Sequence, residues 1–279
     1  MLTRREFSSV LLAAAQELPD IRTVEADLKT PEMVDSPPAP GRRVRQKLAA
    51  YASTEIHHAL YLPEDWEPGG KYPLIVEYAG NGNYSNNYGD ISTGRVEGSN
   101  LGYGISAGRR FIWLCLPYVN VRERKNEIIW WGDAAATAEY CREAVAFVCA
   151  EYGADPDTAI LAGFSRGSIA CNFIGLRDDR IARLWRAFVP YSHYDGVLEW
   201  EYAGSDRGSA LQRLRRLKSR PQFICHERSV DDTRRYLTGT TIQAPFTFQA
   251  LGFRNHNDAW VLRDVPERRR LRQWVSAVL

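Results

Sequence analysis

The sequence lacks most of the features that would place a chain in a class at a glance. Its five cysteines, Cys115, Cys141, Cys149, Cys171 and Cys225, form no C-x-x-C pair and sit inside apolar runs. An odd count without metal-ligand spacing argues against a disulfide frame and a zinc site, and reads instead as small buried hydrophobes. An excess of one charge is also missing. Lys and Arg number 36 against 34 Asp and Glu, a net charge of +2 with the signs interspersed, so nucleic acid is not an expected partner. Only five of the basic residues are lysine, which points to genome composition before function. No internal stretch approaches the ~20 apolar residues of a membrane span, and there is no internal repeat. A glycine-rich stretch, Leu101 to Gly108, precedes a strand-like run and does not have G-x-G-x-x-G spacing, so no nucleotide cofactor is expected, and no metal.

What is present is the composition of an ordinary globular protein, 44% hydrophobic and 25% charged over 279 residues. That length can bury a sizeable core without a covalent or metal staple. The opening, Thr3-Arg4-Arg5-Glu6-Phe7 followed by a short apolar stretch and Ala13-Ala14-Ala15, resembles a twin-arginine export leader with a small-residue cleavage site. Export to the periplasm or cell exterior is therefore expected, with residues 1–15 as the leader; the alternative is a frayed amphipathic start on a cytoplasmic protein. Residues 16–43, rich in acids and prolines, read as a linker or a surface-hugging arm.

From residue 44 the texture changes. Strands are predicted at 44–51, 55–62, 73–79, 111–117, 158–162, 187–190, 222–226 and 246–251. Helices are predicted at 134–152, 166–176, 210–217, 231–237 and 266–279. Gly153 reads as a C-cap and Pro266 as a first-turn proline. Alternation of strand and helix implies a mostly parallel sheet covered on both faces, and the three leading strands imply an antiparallel start. The long irregular segments 80–110 and 191–209 are of the kind that carry function.

Gly163-Phe164-Ser165-Arg166-Gly167 lies between a predicted strand and a predicted helix. A turn that tight holds the serine at strained φ/ψ, and only glycine two places to either side avoids collision with the neighbouring strand and helix. The hydroxyl is left standing at the helix N-terminus, which favours developing negative charge.

With this motif, this element order and a late histidine, residues 44–279 resemble the α/β-hydrolase superfamily. Within it they resemble serine esterases of the polyhydroxybutyrate-depolymerase and feruloyl-esterase type. The resemblance implies an α/β-hydrolase fold, with an eight-stranded-type, mostly parallel sheet and helices on both faces. It also implies a Ser–acid–His triad in that chain order. Ser165 is then the nucleophile. His256, in the polar loop after the last predicted strand, is the base; His193 is the runner-up and a candidate substrate contact. His57 and His58 are expected to do nothing chemical, and His226 to be structural. The acid should follow the strand at 222–226, where two carboxylates compete. Spacing from the strand points to Asp231, and spacing back from Thr233-Arg234 points to Glu227. The glycine usual at 227 is absent, and Asp232 is a distant third.

An acyl-transfer serine needs two N–H donors aimed at the oxyanion. The backbone of Arg166 is expected to supply one. Asn81, with Gly82 as second choice, is expected to supply the other from the loop after the third strand, which lacks an H-G-G-G form. Trp130 and Trp131 are candidate substrate-binding residues, or else core anchors of their loop. Tyr194, with Tyr191 and Trp200, adds aromatics at the rim. These features imply hydrolysis of a small-molecule or polymer-linked carboxylic ester, with a peptidase, an amidase or a non-catalytic binding protein on the same fold as alternatives.

Overall fold

The computed structural model describes residues 17–279; the expected leader lies outside the described residues. The main sheet is built from β1 (Met33–Val34), β2 (Arg43–Gln46), β3 (His58–Tyr61), β4 (Leu74–Tyr78), β5 (Ile112–Leu116), β6 (Ile160–Phe164), β7 (Ala187–Tyr191), β8 (Gln222–Glu227) and β9 (Phe246–Leu251). Their order across the sheet is β1-β2-β3-β5-β4-β6-β7-β8-β9. β3 runs antiparallel to both of its neighbours, and every other adjacent pair is parallel. The sheet thus has nine strands where an eight-stranded type was expected. The extra one, β1, comes from the arm, and two residues are too few for periodicity to reveal. The strand expected at 44–51 stops at Gln46, which pairs with His58, the first residue of β3; Ala49–Tyr51 turns into a 3₁₀ helix.

The helices are α1 (Leu101–Ser106), α2 (Ala134–Tyr152), α3 (Arg166–Phe173), α4 (Asp179–Ala182), α5 (Arg207–Leu214), α6 (Asp231–Thr238) and α7 (Pro266–Val278). α2 starts at Asp133, whose side chain accepts from the Ala135 and Ala136 amides, and ends at Gly153 in the left-handed region. α1 was not foreseen. It falls in the glycine-rich stretch because a Cβ at Gly102 would run into the Trp113 ring, so glycine there lets helix and sheet touch.

Strand residues alternate between two cores. Leu74, Val76 and Leu161 meet the apolar faces of α2 to α6 on one side. Ile75, Ile160 and Ala162 meet α1 and α7 on the other. His58 sits in the sheet fully buried, its Nδ1 2.7 Å from the Tyr140 hydroxyl, and burial lowers its pKa to about 3. All five cysteines are free thiols, and only Cys149 is partly exposed. No described helix is long and apolar enough to cross a membrane. Among the described residues no three ligating side chains cluster as a metal site.

The arm lies on the domain. Ile21 is buried, the Arg254 amide donates to the Pro19 carbonyl at 3.1 Å, and Arg268 from α7 pairs with Asp27 at 2.6 Å.

Candidate active site

At the C-terminal end of β6 the chain turns into α3 through Ser165, held at φ 54° and ψ −114°. That is a costly conformation for a residue with a side chain. A Cβ on Gly163 would strike the Gly167 carbonyl, and one on Gly167 would strike the Tyr78 carbonyl of β4. Backbone therefore meets backbone on both sides, and the serine is only 8% exposed.

His256 reaches this hydroxyl from the loop after β9, with Nε2 3.1 Å from Ser165 Oγ. Its Nδ1 lies 2.9 Å from Oε1 of Glu227, at the end of β8. Burial pushes the Glu227 carboxyl up, but the hydrogen bond and charge of His256, with help from Ser192, outweigh it and hold the group below its ordinary value. Glu227 is therefore an anion and accepts only. In the neutral imidazole Nδ1 then carries the ring proton, which leaves Nε2 free to accept from Ser165.

The structure does not bring Asp231 to this cluster. β8 continues through Glu227, paired with Leu251, and sets that carboxylate against the imidazole. Asp231 instead begins α6 and is exposed there, its amide donating to Ser229 Oγ. Asp232 follows it in the same turn and pairs with Arg235.

A cavity of about 190 Å³ opens over Ser165, bordered by Asn81, Trp130, Arg166, Ile169, His193 and Trp200 among others. The Arg166 N–H begins α3 and so has no partner within the helix. The Asn81 N–H has no protein partner among the described residues, while its side-chain oxygen accepts from the Trp130 amide at 2.8 Å. Gly82 is excluded as a donor, because its N–H is spent on the Ile128 carbonyl at 2.6 Å.

The Arg166 side chain does separate work. It is buried, and its guanidinium donates to the carbonyls of Trp130 at 2.5 Å, Gly80 at 2.9 Å and Gly94 at 3.2 Å, lying 3.8 Å above the Tyr118 ring. Burial lowers its pKa to about 10, which leaves it a cation. One side chain thus ties the tight turn at Ser165, the elbow, to the loops carrying Asn81 and Trp130.

The aromatic candidates divide. Trp130 borders the cavity and packs against Trp200 at 5.3 Å. Trp131 points the other way and stacks on Phe173 at 4.6 Å in the core, so it is an anchor and not a substrate contact. Tyr194 does not border this cavity: it is 2% exposed, its hydroxyl donates to Gln222 Oε1 at 2.6 Å, and it lines instead the second cavity described below. Tyr191 is buried, with its hydroxyl on the Asn257 carbonyl. His193 borders the cavity 5.5 Å from the His256 ring, and burial reinforced by that neighbour lowers its pKa to about 4, leaving it neutral at pH 7. With Trp200 it also borders a second cavity of about 140 Å³, reaching Ser229 and Thr233.

Two contacts had no signal in the sequence. Ser192 places Oγ 3.1 Å from His256 Nδ1 and is held at φ 91°. Tyr84 sets its ring edge-on to His256 at 4.9 Å. A serine in an irregular loop, or a tyrosine in a two-residue strand, carries no periodicity that would mark it.

No protein-family model matches the chain, and no curated protein matches its sequence. Solved structures do match. A protein described as a dipeptidyl aminopeptidase IV from Bacteroides ovatus superposes with a TM-score of 0.59 at 15% identity, over 85% of this chain but only 36% of its own. Thermogutta terrifontis esterase 2, in a form phosphorylated by paraoxon, gives 0.55 at 16% identity, over 88% of this chain and 95% of its own. The feruloyl esterase module from Clostridium thermocellum gives 0.51 at 12% identity, over 89% of this chain and 95% of its own. The fold is that of the α/β-hydrolases. At these identities the likeness establishes the architecture, and chemistry has to be argued from the site.

Proposed function

We propose that the chain is a serine hydrolase acting on carboxylic esters. The observation that carries this reading is the line Ser165 Oγ, His256 Nε2, His256 Nδ1, Glu227 Oε1, with links of 3.1 and 2.9 Å, at the floor of a cavity. Ser165 attacks the ester carbonyl carbon while His256 Nε2 takes its proton. The carbonyl oxygen becomes an oxyanion between the N–H groups of Arg166 and Asn81. The C–O bond to the alcohol then breaks, and Nε2 returns the proton to the departing oxygen. Water, activated by the same imidazole, releases the acid and regenerates the serine. Glu227 holds the imidazole in the Nδ1-protonated tautomer and stabilises it as a cation; Ser192 shares that proton.

Trp130, Trp200 and Ile169 give the cavity apolar walls suited to an acyl chain or an aromatic acid. An exported enzyme of this kind, as the Arg4-Arg5 leader implies, fits esters borne by a polysaccharide or a polyester.

The test is hydrolysis of p-nitrophenyl esters of increasing acyl length, with Ser165→Ala as control and a fluorophosphonate as active-site label. Ester turnover that disappears in Ser165→Ala, with labelling confined to Ser165, is the expected result. Absence of both turnover and labelling would overturn the reading in favour of a binding protein on this fold. The likeness to the aminopeptidase gives a second reading: cleavage of aminoacyl-p-nitroanilides faster than of the matched esters would move the assignment to a peptidase.

A further inference from the structure

His256 stands between two asparagines, and all three residues donate to one carboxylate. Oδ1 of Asp90 accepts from Nδ2 of Asn255 at 2.9 Å and of Asn257 at 2.6 Å. Oδ2 accepts from the His256 N–H at 2.8 Å and from Nδ2 of Asn86 at 2.9 Å. Asp90 is 2% exposed and belongs to the hairpin of Tyr84–Ser85 and Ile91–Ser92, whose Tyr84 ring also leans on the imidazole. Asn255, 3% exposed, turns its own Oδ1 to the N–H of Ile21 at 2.8 Å, so the same chain of hydrogen bonds runs on into the arm.

We propose that Asp90 is the positioning residue of His256: its carboxylate pins the histidine loop by three successive residues to the hairpin beside the oxyanion loop, and Asn255 extends that hold to residues 17–24. The proposal rests on the hydrolase reading for its consequence, though not for its geometry. Four donors converging on one side chain require a carboxylate, because an amide would turn its NH₂ against two of them. Bonds of this kind to a charged acceptor are stronger than neutral ones. Burial raises the Asp90 carboxyl, but the Asn255, Asn86, His256 and Asn257 donors outweigh it and hold the group below its ordinary value, so the acceptor stays charged. Displacement of a catalytic group by ~1 Å can cost ~100-fold in rate. Asp90 touches neither substrate nor reacting atom, so its effect has to appear in the delivery of Nε2 to Ser165.

The experiment uses the full chain with Asp90→Asn, Asn255→Asp and the double exchange. Asn255→Asp keeps the oxygen that faces Ile21 and turns a second oxygen toward Asp90. The rate of labelling by a fluorophosphonate is the first readout, because it needs an activated Ser165 and no ester; kcat and KM on a p-nitrophenyl ester are the second. Each single variant is expected to label and turn over about tenfold more slowly or worse, with KM within about twofold, and the double exchange to recover part of the loss by restoring one donor opposite one acceptor. Labelling within about twofold of the wild-type rate in both singles overturns the proposal, as does a change confined to KM. If the singles fail to fold, Asn86→Asp, which removes one donor from outside the histidine loop and keeps the oxygen that accepts from the Tyr88 and Asp90 amides, carries the test. Slower labelling supports the proposal and an unchanged rate overturns it. A wild-type chain that labels but hydrolyses no ester would sink the proposed substrate class and leave this comparison readable.

Discussion

Ser165 and His256 are 3.1 Å apart and are held there by different means. The serine side is a matter of backbone sterics: β6, a strained turn and α3 close on glycines whose absent side chains decide the geometry. The histidine side is a matter of polar side chains: Glu227, Ser192, Asp90 and two asparagines, gathered from four distant segments. One half is short-range and tolerates no added atoms. The other is long-range and tolerates no lost charge. The two should therefore fail differently, the first by unfolding and the second by idling.

The largest effect expected is that of Gly167→Ala. The new Cβ meets the Tyr78 carbonyl of a central strand, which cannot give way, so the loss is ~3 kcal/mol or more of stability and little folded protein should be recovered. Thermal melting reads it, and a Tm close to wild type would show that the elbow is looser than its geometry. Next comes Glu227→Gln, which keeps the fold but offers Nδ1 the wrong partner. A drop in kcat of ~10³–10⁴-fold with an unchanged melting curve is expected, by analogy with an isosteric loss of charge at a triad acid. A matching loss in Asp231→Asn would contradict the assignment of the acid.

Arg166→Lys tests the joint between the halves. A lysine cannot span the three carbonyls of Trp130, Gly80 and Gly94, and buried acceptors are left short of donors. Loss of ~10–100-fold in kcat/KM is expected as the oxyanion loop loosens. A change in stability alone, with kcat/KM intact, would make the arginine a packing residue.

A further effect is one of pH, to which buried His58 contributes alongside His193 at the cavity, whose pKa is also lowered. His58 is neutral in the fold, with its pKa near 3, and ordinary once unfolded. Between pH ~6.5 and 3 the unfolded chain binds a proton that the folded chain refuses, so this group makes stability fall by up to ~1.4 kcal/mol per pH unit as acid is added. Glu227 and Asp90, held below their ordinary values, stay charged through the upper part of that window. Denaturant unfolding at pH 7, 6 and 5 should show a shallower decline in His58→Gln than in wild type. Parallel declines would mean that other groups carry the acid sensitivity.

The same division explains what could be read in the sequence. The elbow was legible because five adjacent residues contain its whole steric argument, and the strand and helix beside it have strong patterns. His256 was legible from its place in the chain order. The choice between Glu227 and Asp231 was not, since it turns on whether β8 runs one residue further, to a pairing of Glu227 with Leu251. Trp130 and Trp131 look alike as neighbours, yet at φ 50° the backbone sends the first ring to the cavity and leaves the second in the core. Asp90 was invisible for a plain reason: it lies 165 residues from Asn255, and a lone aspartate in a polar loop resembles any other.

The hydrogen bond from Ile21 to Asn255 closes a span of 234 residues. Contacts of such sequence separation are paid for in chain entropy before they return anything, and they form slowly. As the chain leaves the ribosome, Ser165 emerges 91 residues ahead of His256 and waits on its elbow without a base. Ile21, made early, acquires its partner late. On the function proposed above, a nascent or partly folded chain carries a hydroxyl no more reactive than any other serine, and hydrolytic power would arrive only when the two ends of the domain meet.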